Sequence, residues 1–165
     1  MLEFLPEKSY LDGSFDVIYE KLYRIFEADL IDTPLYYKGR RVQFDRRKID
    51  SLYEEGFWHI TTRGKKERIP DYKRAKRITW LRPLIEHSND QRLYKWIEDD
   101  TDRRGYRTEK THIWYREGKY LVVISDTPDR PRDYFLVTAF YVTGLRNEEY
   151  YLKRYNKAQK KGPEC

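Results

Sequence analysis

The sequence predicts an α+β fold in which N-terminal helices pack on one face of an antiparallel sheet of about four strands, with a closing C-terminal helix. Apolar residues recur at helical spacing through the first third of the chain. Three β-rich runs, THIWYRE, GKYLVVIS and DYFLVTAFYV, follow one another in the last third, and another helical pattern ends the chain. Helices and strands segregated in this way are typical of the α+β class. The length of 165 residues suits a single domain over 1–165.

The charge balance suggests a polyanionic partner. The chain carries 34 basic and 28 acidic residues, a formal net charge of +6. Its mean hydropathy of −0.99 would indicate disorder in a chain poor in aromatic residues, but 16% of the residues are aromatic. Tyrosine can build a core while its hydroxyl stays in water, so we expect a folded domain with a polar surface.

The cysteine content and the hydropathy pattern indicate a reducing compartment. The one cysteine, Cys165, cannot form an intramolecular disulfide. No apolar run approaches the roughly 18 residues that a membrane span needs. The segment MLEFLPEKS lacks the pattern of a signal peptide. We therefore expect a soluble, cytoplasmic protein without a membrane partner.

The first elements follow from periodicity and turn residues. Ser14 precedes an amphipathic pattern that predicts a helix of four to five turns ending near residues 32–34. PLYYKGRRVQF predicts two short strands around a tight turn at Lys38–Gly39. A second helix is then expected, capped by Asp45 and ended by Gly56.

The central stretch from Phe57 to Ile85 contains the first candidates for chemistry. Residues 57–62 predict a strand that carries His59. A basic turn follows, and helical periodicity begins near Pro70. We expect Pro83 to kink or restart this helix, since proline removes a backbone hydrogen bond.

The second half of the chain predicts further elements. Leu93, Trp96 and Ile97 suggest one or two helical turns, and the polar stretch 98–110 is expected to be a mobile loop. The first two β-rich runs should form a hairpin through Glu117–Gly118, and the turn DTPDRPRD separates the second run from the third. The last helical pattern comprises Leu145, Leu152, Tyr155 and Ala158.

Several reaction types find no support in the sequence. The three histidines, His59, His87 and His112, are widely spaced, and no metal-binding motif accompanies them. We find no glycine-rich phosphate loop, no dinucleotide fingerprint and no serine or cysteine in a nucleophile motif. We therefore expect neither a metal nor another cofactor.

Metal-free RNA cleavage is compatible with the residues present. It needs a base, an acid, and cations that stabilise the charge on phosphorus. His59 can exchange protons near neutral pH, and arginine binds two phosphate oxygens at once. Arg74 and Arg77 lie nearly one helical turn apart, so they should share a face. Thr138 lies in an apolar strand, where its hydroxyl is either satisfied in the core or faces a site.

These segments resemble the barnase–EndoU–colicin–RelE-like ribonuclease superfamily, in its phage- and mobile-element-associated branches. The matching segments are FWHITTR, RAKRITWLRPLI, YLVVIS and YFLVTAFYV. The resemblance implies metal-independent endoribonuclease activity in a toxin or phage effector, with His59, Arg74 and Thr138 at the catalytic positions. It covers about residues 57–160, which leaves 1–44 as a helical and hairpin extension. Phe140 stands where the family commonly has tyrosine, and Tyr141 points to the opposite strand face.

Seven further residues are predicted to bind RNA. They are Arg63, Lys65, Lys66, Lys73, Arg77, Tyr115 and Tyr141. Tyr115 and His112 are both conceivable as the second acid or base. The expected partners are RNA and an antitoxin or immunity protein, and the oligomeric state is open. Two alternatives also stay open: an RNA-binding module without catalysis, and a protein–protein adaptor or regulatory protein.

Overall fold

The computed structural model describes residues 2–49, 52–64 and 67–161. The α-helices of the described residues are α1 (Phe15–Phe26), α2 (Glu55–Thr61), α3 (Tyr72–Ala75), α4 (Ile78–Glu86) and α5 (Leu145–Lys160). The strands are β1 (Tyr36–Tyr37), β2 (Arg40–Gln43), β3 (Thr62–Arg63), β4 (Ile69–Pro70), β5 (Tyr94–Thr101), β6 (Arg107–Tyr115), β7 (Tyr120–Asp126) and β8 (Asp133–Tyr141). The predicted α+β class is confirmed.

The main sheet has six strands where we expected about four, in the order β1-β2-β8-β7-β6-β5. Neighbouring strands are antiparallel except β2 and β8, which run parallel with Gln43 opposite Phe135. The hairpin that we assigned to an N-terminal extension therefore supplies two strands of the main sheet. Strands β3 and β4 form a separate two-stranded ribbon.

Helices cover both faces of this sheet, because successive strand residues point to opposite sides. Tyr120, Val122 and Ile124 of β7 join the large core formed with α1, α2, α3 and α4. Leu121 and Val123 belong to a smaller cluster against α5. We expected helices on one face with a closing helix, and α5 closes the opposite face.

Several local predictions are confirmed. Helix α1 starts after Ser14, whose side chain accepts a hydrogen bond from the Val17 amide, and it continues as a π-helical segment over Glu27–Asp32. Lys38 and Gly39 both have positive φ, as the tight turn between β1 and β2 requires. The three β-rich runs form β6, β7 and β8, and α5 is the predicted last helix.

The prediction of a strand at 57–62 is wrong, because most of that run lies in helix α2. This short apolar run forms a helix and buries Phe57, Ile60 and Thr61 on one of its sides. The helix predicted between Asp45 and Gly56 is absent from the described residues of that range. Gly56 instead lies in α2, where a Cβ atom would come within 2.9 Å of the Phe44 ring.

Three further predictions from the second half of the chain are corrected. The helix runs through Pro83 without ending, and the break lies earlier, between α3 and α4. Leu93 precedes β5, and Trp96 and Ile97 lie within it. The polar stretch 98–110 pairs across β5 and β6 around a turn at 102–106. Cross-strand ion pairs, Arg107–Asp99 and Lys110–Asp100, help to hold this hairpin.

Within the described part of the chain, the helices are all too short or too polar to span a bilayer.

Candidate functional site

His59, Arg74 and Thr138 come together at one atom, the main-chain carbonyl oxygen of His59. Arg74 Nη1 donates to this oxygen at 3.1 Å, and Thr138 Oγ1 donates to it at 3.3 Å. The same Arg74 nitrogen also donates to the carbonyl oxygen of Thr62 at 2.6 Å. The two side chains therefore hold the C-terminal end of α2 against β8.

These contacts belong to a set that satisfies the last carbonyl groups of α2, which have no partner inside the helix. Thr61 Oγ1 donates to the Phe57 oxygen, and Thr62 Oγ1 donates to the Trp58 oxygen. The Tyr19 hydroxyl donates to the Thr61 oxygen at 3.0 Å. The end of α2 is thus fixed by side chains from three other elements as well as by its own threonines.

The Arg74 guanidinium is unusually enclosed for an arginine. Its side chain is 18% exposed and lies 3.8 Å from Asp71. Burial lowers its pKa, and the charge of Asp71 opposes that shift. The group also sits over the ring of Phe140, at 5.7 Å. Its hydrogen bonds come from Nη1, whereas its Nε is buried without a hydrogen-bond partner among the described residues.

The Arg77 guanidinium is also enclosed and bound to backbone carbonyl groups. Arg77 is 7% exposed, and its guanidinium donates to the carbonyl oxygens of Gly118 and Lys73. It also stacks on Tyr141 at 4.4 Å. Arg77 and Tyr141 therefore pair with each other, and the Lys73 ammonium lies 5.8 Å from the same tyrosine ring.

The remaining predicted residues differ in accessibility. Arg63 is exposed at the start of the β3–β4 ribbon. Tyr115 is 5% exposed and packs against Trp80, so little of its ring is available to a ligand. Lys65 and Lys66 lie outside the described residues. His112 is 4% exposed, stacks on Trp96 and faces Glu98 at 3.5 Å.

The His59 side chain itself is exposed and lines a cleft of about 1200 Å³. The floor is the part of the α5-side face of the sheet that α5 does not cover. Its lining residues include Lys110, Ser125, Phe135 and Val137. One wall is the segment after β2. The amides of Glu55 and Gly56 donate to carbonyl oxygens of that segment, which ties the wall to α2 and so to His59.

The same tripeptide, Asp-Arg-Arg, occurs on two sides of this cleft. It is Asp45–Arg47 after β2 and Asp102–Arg104 after β5. In both copies the aspartate Oδ1 accepts a hydrogen bond from the amide two residues later, at 3.1 Å and 2.9 Å. The second arginine of each copy also pairs with that aspartate, at 2.6 Å and 3.6 Å. The first arginine of each copy, Arg46 or Arg103, also lines the cleft, and the Arg46 guanidinium lies over the Phe44 ring at 4.8 Å.

Charges of both signs line the cleft. Six cationic side chains and five aspartates line it, but Asp45, Asp102 and Asp129 are already held by arginine. The hydrogen bond from Arg47 lowers the pKa of Asp45, partly offset by burial, so this carboxylate stays ionised. Within residues 2–49, 52–64 and 67–161, Arg46, Arg103 and Arg130 form no ion pair.

These arginines were not among the predicted site residues, although the sequence contains a signal for them. The repeated Asp-Arg-Arg lies in stretches that we interpreted as a helix start and a mobile loop. A tripeptide recurs in many sequences by chance. The repeat becomes informative only once the structure shows that both copies form the same hydrogen-bonded turn. Their common position on one cleft depends on the register of the sheet. The short strand β2 pairs only with the first residues of β8, Asp133–Phe135, and these lie toward the end of the sheet at which β5 ends.

We find no significant match to this chain among protein-family models, curated proteins or solved structures. In the described ranges, histidine, cysteine, aspartate and glutamate side chains form no group of three or more arranged to hold a metal ion.

Proposed function

We propose that this protein is a metal-independent endoribonuclease whose substrate lies in the His59 cleft. The observation that carries the proposal is an exposed imidazole in a cleft that also presents three arginines free of ion pairs. An imidazole exchanges protons near neutral pH, and arginine binds phosphate oxygens through two parallel hydrogen bonds. These are the two kinds of group that phosphodiester cleavage needs.

The spacing of the arginines favours a polymer over a small anion. Arg46 follows β2 and Arg103 follows β5, and β8, β7 and β6 lie between these strands. At about 4.8 Å between neighbouring strands, the two turns are roughly 15–20 Å apart. A single phosphate cannot contact both turns, whereas successive phosphates of one nucleic-acid chain can.

In this reaction His59 accepts the proton of a ribose 2′-hydroxyl as that oxygen attacks the neighbouring phosphorus. The new 2′-oxygen–phosphorus bond replaces the bond from phosphorus to the 5′-oxygen, which leaves with a proton from solvent. Arg46, Arg103 and Arg130 stabilise the negative charge along the chain. Arg74 and Thr138 act as positioning residues, since both hold the backbone that carries His59.

The test uses the purified chain and a labelled RNA in excess EDTA. We expect cleavage products that end in a 2′,3′-cyclic phosphate, and we expect His59→Ala to abolish them. The matched control is His87→Ala, because His87 is also exposed but does not line the cleft. Equal product from the wild-type protein and His59→Ala would refute the proposal.

A second function, RNA binding without cleavage, is favoured by a different observation. Arg74 and Arg77 donate hydrogen bonds to backbone carbonyls, and Arg77 stacks on Tyr141, so these three residues are engaged within the protein and do not assist His59 as an acid or base. This function predicts salt-dependent RNA binding that survives His59→Ala, with no cyclic phosphate product.

A further inference from the structure

The floor of the cleft contains an aromatic ring that belongs to neither hydrophobic cluster. Phe135 lies on β8 and is half-buried, while its neighbour Tyr134 packs into the large core against Tyr37. Because strand residues alternate, Phe135 faces the side opposite to that core. Its ring is thus available to the cleft.

A polar side chain lies beside this ring. Gln43 of β2 is the register partner of Phe135 in the parallel β2–β8 pair, and both line the cleft. Register partners on adjacent strands place their side chains on the same face. In the described part of the chain, the Gln43 amide forms no hydrogen bond with another side chain. An amide presents both donors and an acceptor, as the edge of a nucleobase does.

We propose that Phe135 and Gln43 form a nucleobase subsite, in which one base stacks on the Phe135 ring and its edge pairs with the Gln43 amide. This inference rests on the proposed function and specifies its substrate class as single-stranded RNA. The subsite lies on the cleft floor, whereas Arg46 and Arg103 project from the turns beside it. If those arginines hold the phosphates of an RNA strand, the attached bases face the sheet.

A duplex cannot use this subsite, since its bases are stacked on each other and paired along their edges. Aromatic side chains bind bases that have been splayed out of a helix, and each such stack contributes about 1–3 kcal/mol. At 25 °C this corresponds to roughly a 5- to 150-fold change in affinity. The arginines alone would bind both forms through their phosphates.

The experiment measures binding separately from cleavage. Fluorescence anisotropy follows a labelled 12-nucleotide RNA that carries 2′-O-methyl groups and so cannot be cleaved by its own 2′-oxygen. The single strand is compared with the same strand in a duplex. Variants are Phe135→Leu, Phe135→Tyr and Gln43→Met, and Tyr36→Leu is the control. Tyr36 is also an exposed aromatic residue of the sheet, but it does not line the cleft.

We expect the single strand to bind at least fivefold more tightly than the duplex. Phe135→Leu should remove that preference, while Phe135→Tyr and Tyr36→Leu should retain it. When the 12-nucleotide strand is made as a homopolymer of A, C, G or U, Gln43→Met should change the order of the four affinities. Unchanged single-strand affinity in a folded Phe135→Leu protein, or equal affinity for both forms in the wild type, would overturn the subsite.

The two proposals fail in different ways. Preferential single-strand binding that depends on Phe135, without any cleavage of ordinary RNA, would support the subsite and refute the ribonuclease. Cleavage that depends on His59 but not on Phe135, with equal affinity for both RNA forms, would support the ribonuclease and refute the subsite. The absence of RNA binding would refute both.

Discussion

The guanidinium of Arg74 donates a hydrogen bond to the carbonyl oxygen of His59, at 3.1 Å, and leaves the imidazole of His59 exposed. The arginine therefore acts on the histidine through the backbone. The carbonyl is near the end of α2, where backbone acceptors lack partners within the helix. A cationic side chain placed there stabilises the helix end and fixes the direction in which His59 points.

Arg74→Ala should destabilise the fold. The substitution leaves the His59 and Thr62 carbonyls without this donor, at a cost of roughly 1–3 kcal/mol. Urea unfolding measures the loss, and Arg63→Ala is the matched control because Arg63 is an exposed cation on the adjacent ribbon. The control should change the free energy of unfolding by less than about 0.5 kcal/mol. Equal effects of both variants would contradict the capping role of Arg74.

Removing one cleft arginine should weaken RNA binding and reduce its dependence on salt. Each phosphate contact with a single strand contributes about 0.7 to the slope of log affinity against log salt concentration. Arg46→Ala and Arg103→Ala should each lower the slope by about that amount. Arg146→Ala provides the control, since Arg146 is exposed on α5 outside the cleft. A slope unchanged by either cleft substitution would show that these arginines do not contact phosphate.

Gly56→Ala should destabilise the protein although alanine favours helices. The new methyl group would lie 2.9 Å from Phe44 Cδ2 and 3.2 Å from the Asp45 amide nitrogen. Such overpacking costs roughly 1–3 kcal/mol, more than the gain of about 1 kcal/mol in helix propensity.

A double-mutant cycle tests the cause of the Gly56→Ala effect. Phe44→Leu removes ring atoms next to the new methyl group, so the double variant should lose less stability than the sum of the single losses. Strict additivity of the two losses would exclude the clash as the cause.

His112 should make stability depend on pH. Burial lowers its pKa to about 4 in the folded protein, while the charge of Glu98 opposes the shift. The unfolded chain, with a histidine pKa near 6.5, therefore binds more protons between about pH 4 and 6.5. Stability should fall by roughly 2–3 kcal/mol as the pH decreases through this window.

The variant His112→Phe keeps a ring against Trp96 and has no titrating group. Urea unfolding at several pH values should show a flatter profile for this variant between about pH 4.5 and 6.5. His87→Phe changes an exposed histidine and is the control. An identical pH dependence of stability in His112→Phe and the wild type would show that the buried imidazole does not cause it.

Part of the fold could be predicted because local patterns suffice for it. The stripe of α1 and its Ser14 cap, the Lys38–Gly39 turn and the alternating strands β6 to β8 each depend on residues close in sequence. Residues 57–62 did not allow such a prediction, since a short run of five apolar or β-branched residues and one histidine fits a strand or a short helix equally well. Side chains from α1, α3 and β8 stabilise helix α2 by supplying hydrogen-bond partners for its final carbonyls.

The sequence by itself determined the α+β class, the net positive charge and the elements that local patterns specify. The tertiary structure decided which of those groups face one another. Arg74 and Thr138 are near His59 but bind its backbone, whereas Arg46 and Arg103 reach its cleft from turns that are 57 residues apart in the chain. That arrangement depends on strand order and on the parallel β2–β8 pairing, which are long-range contacts that no local pattern encodes.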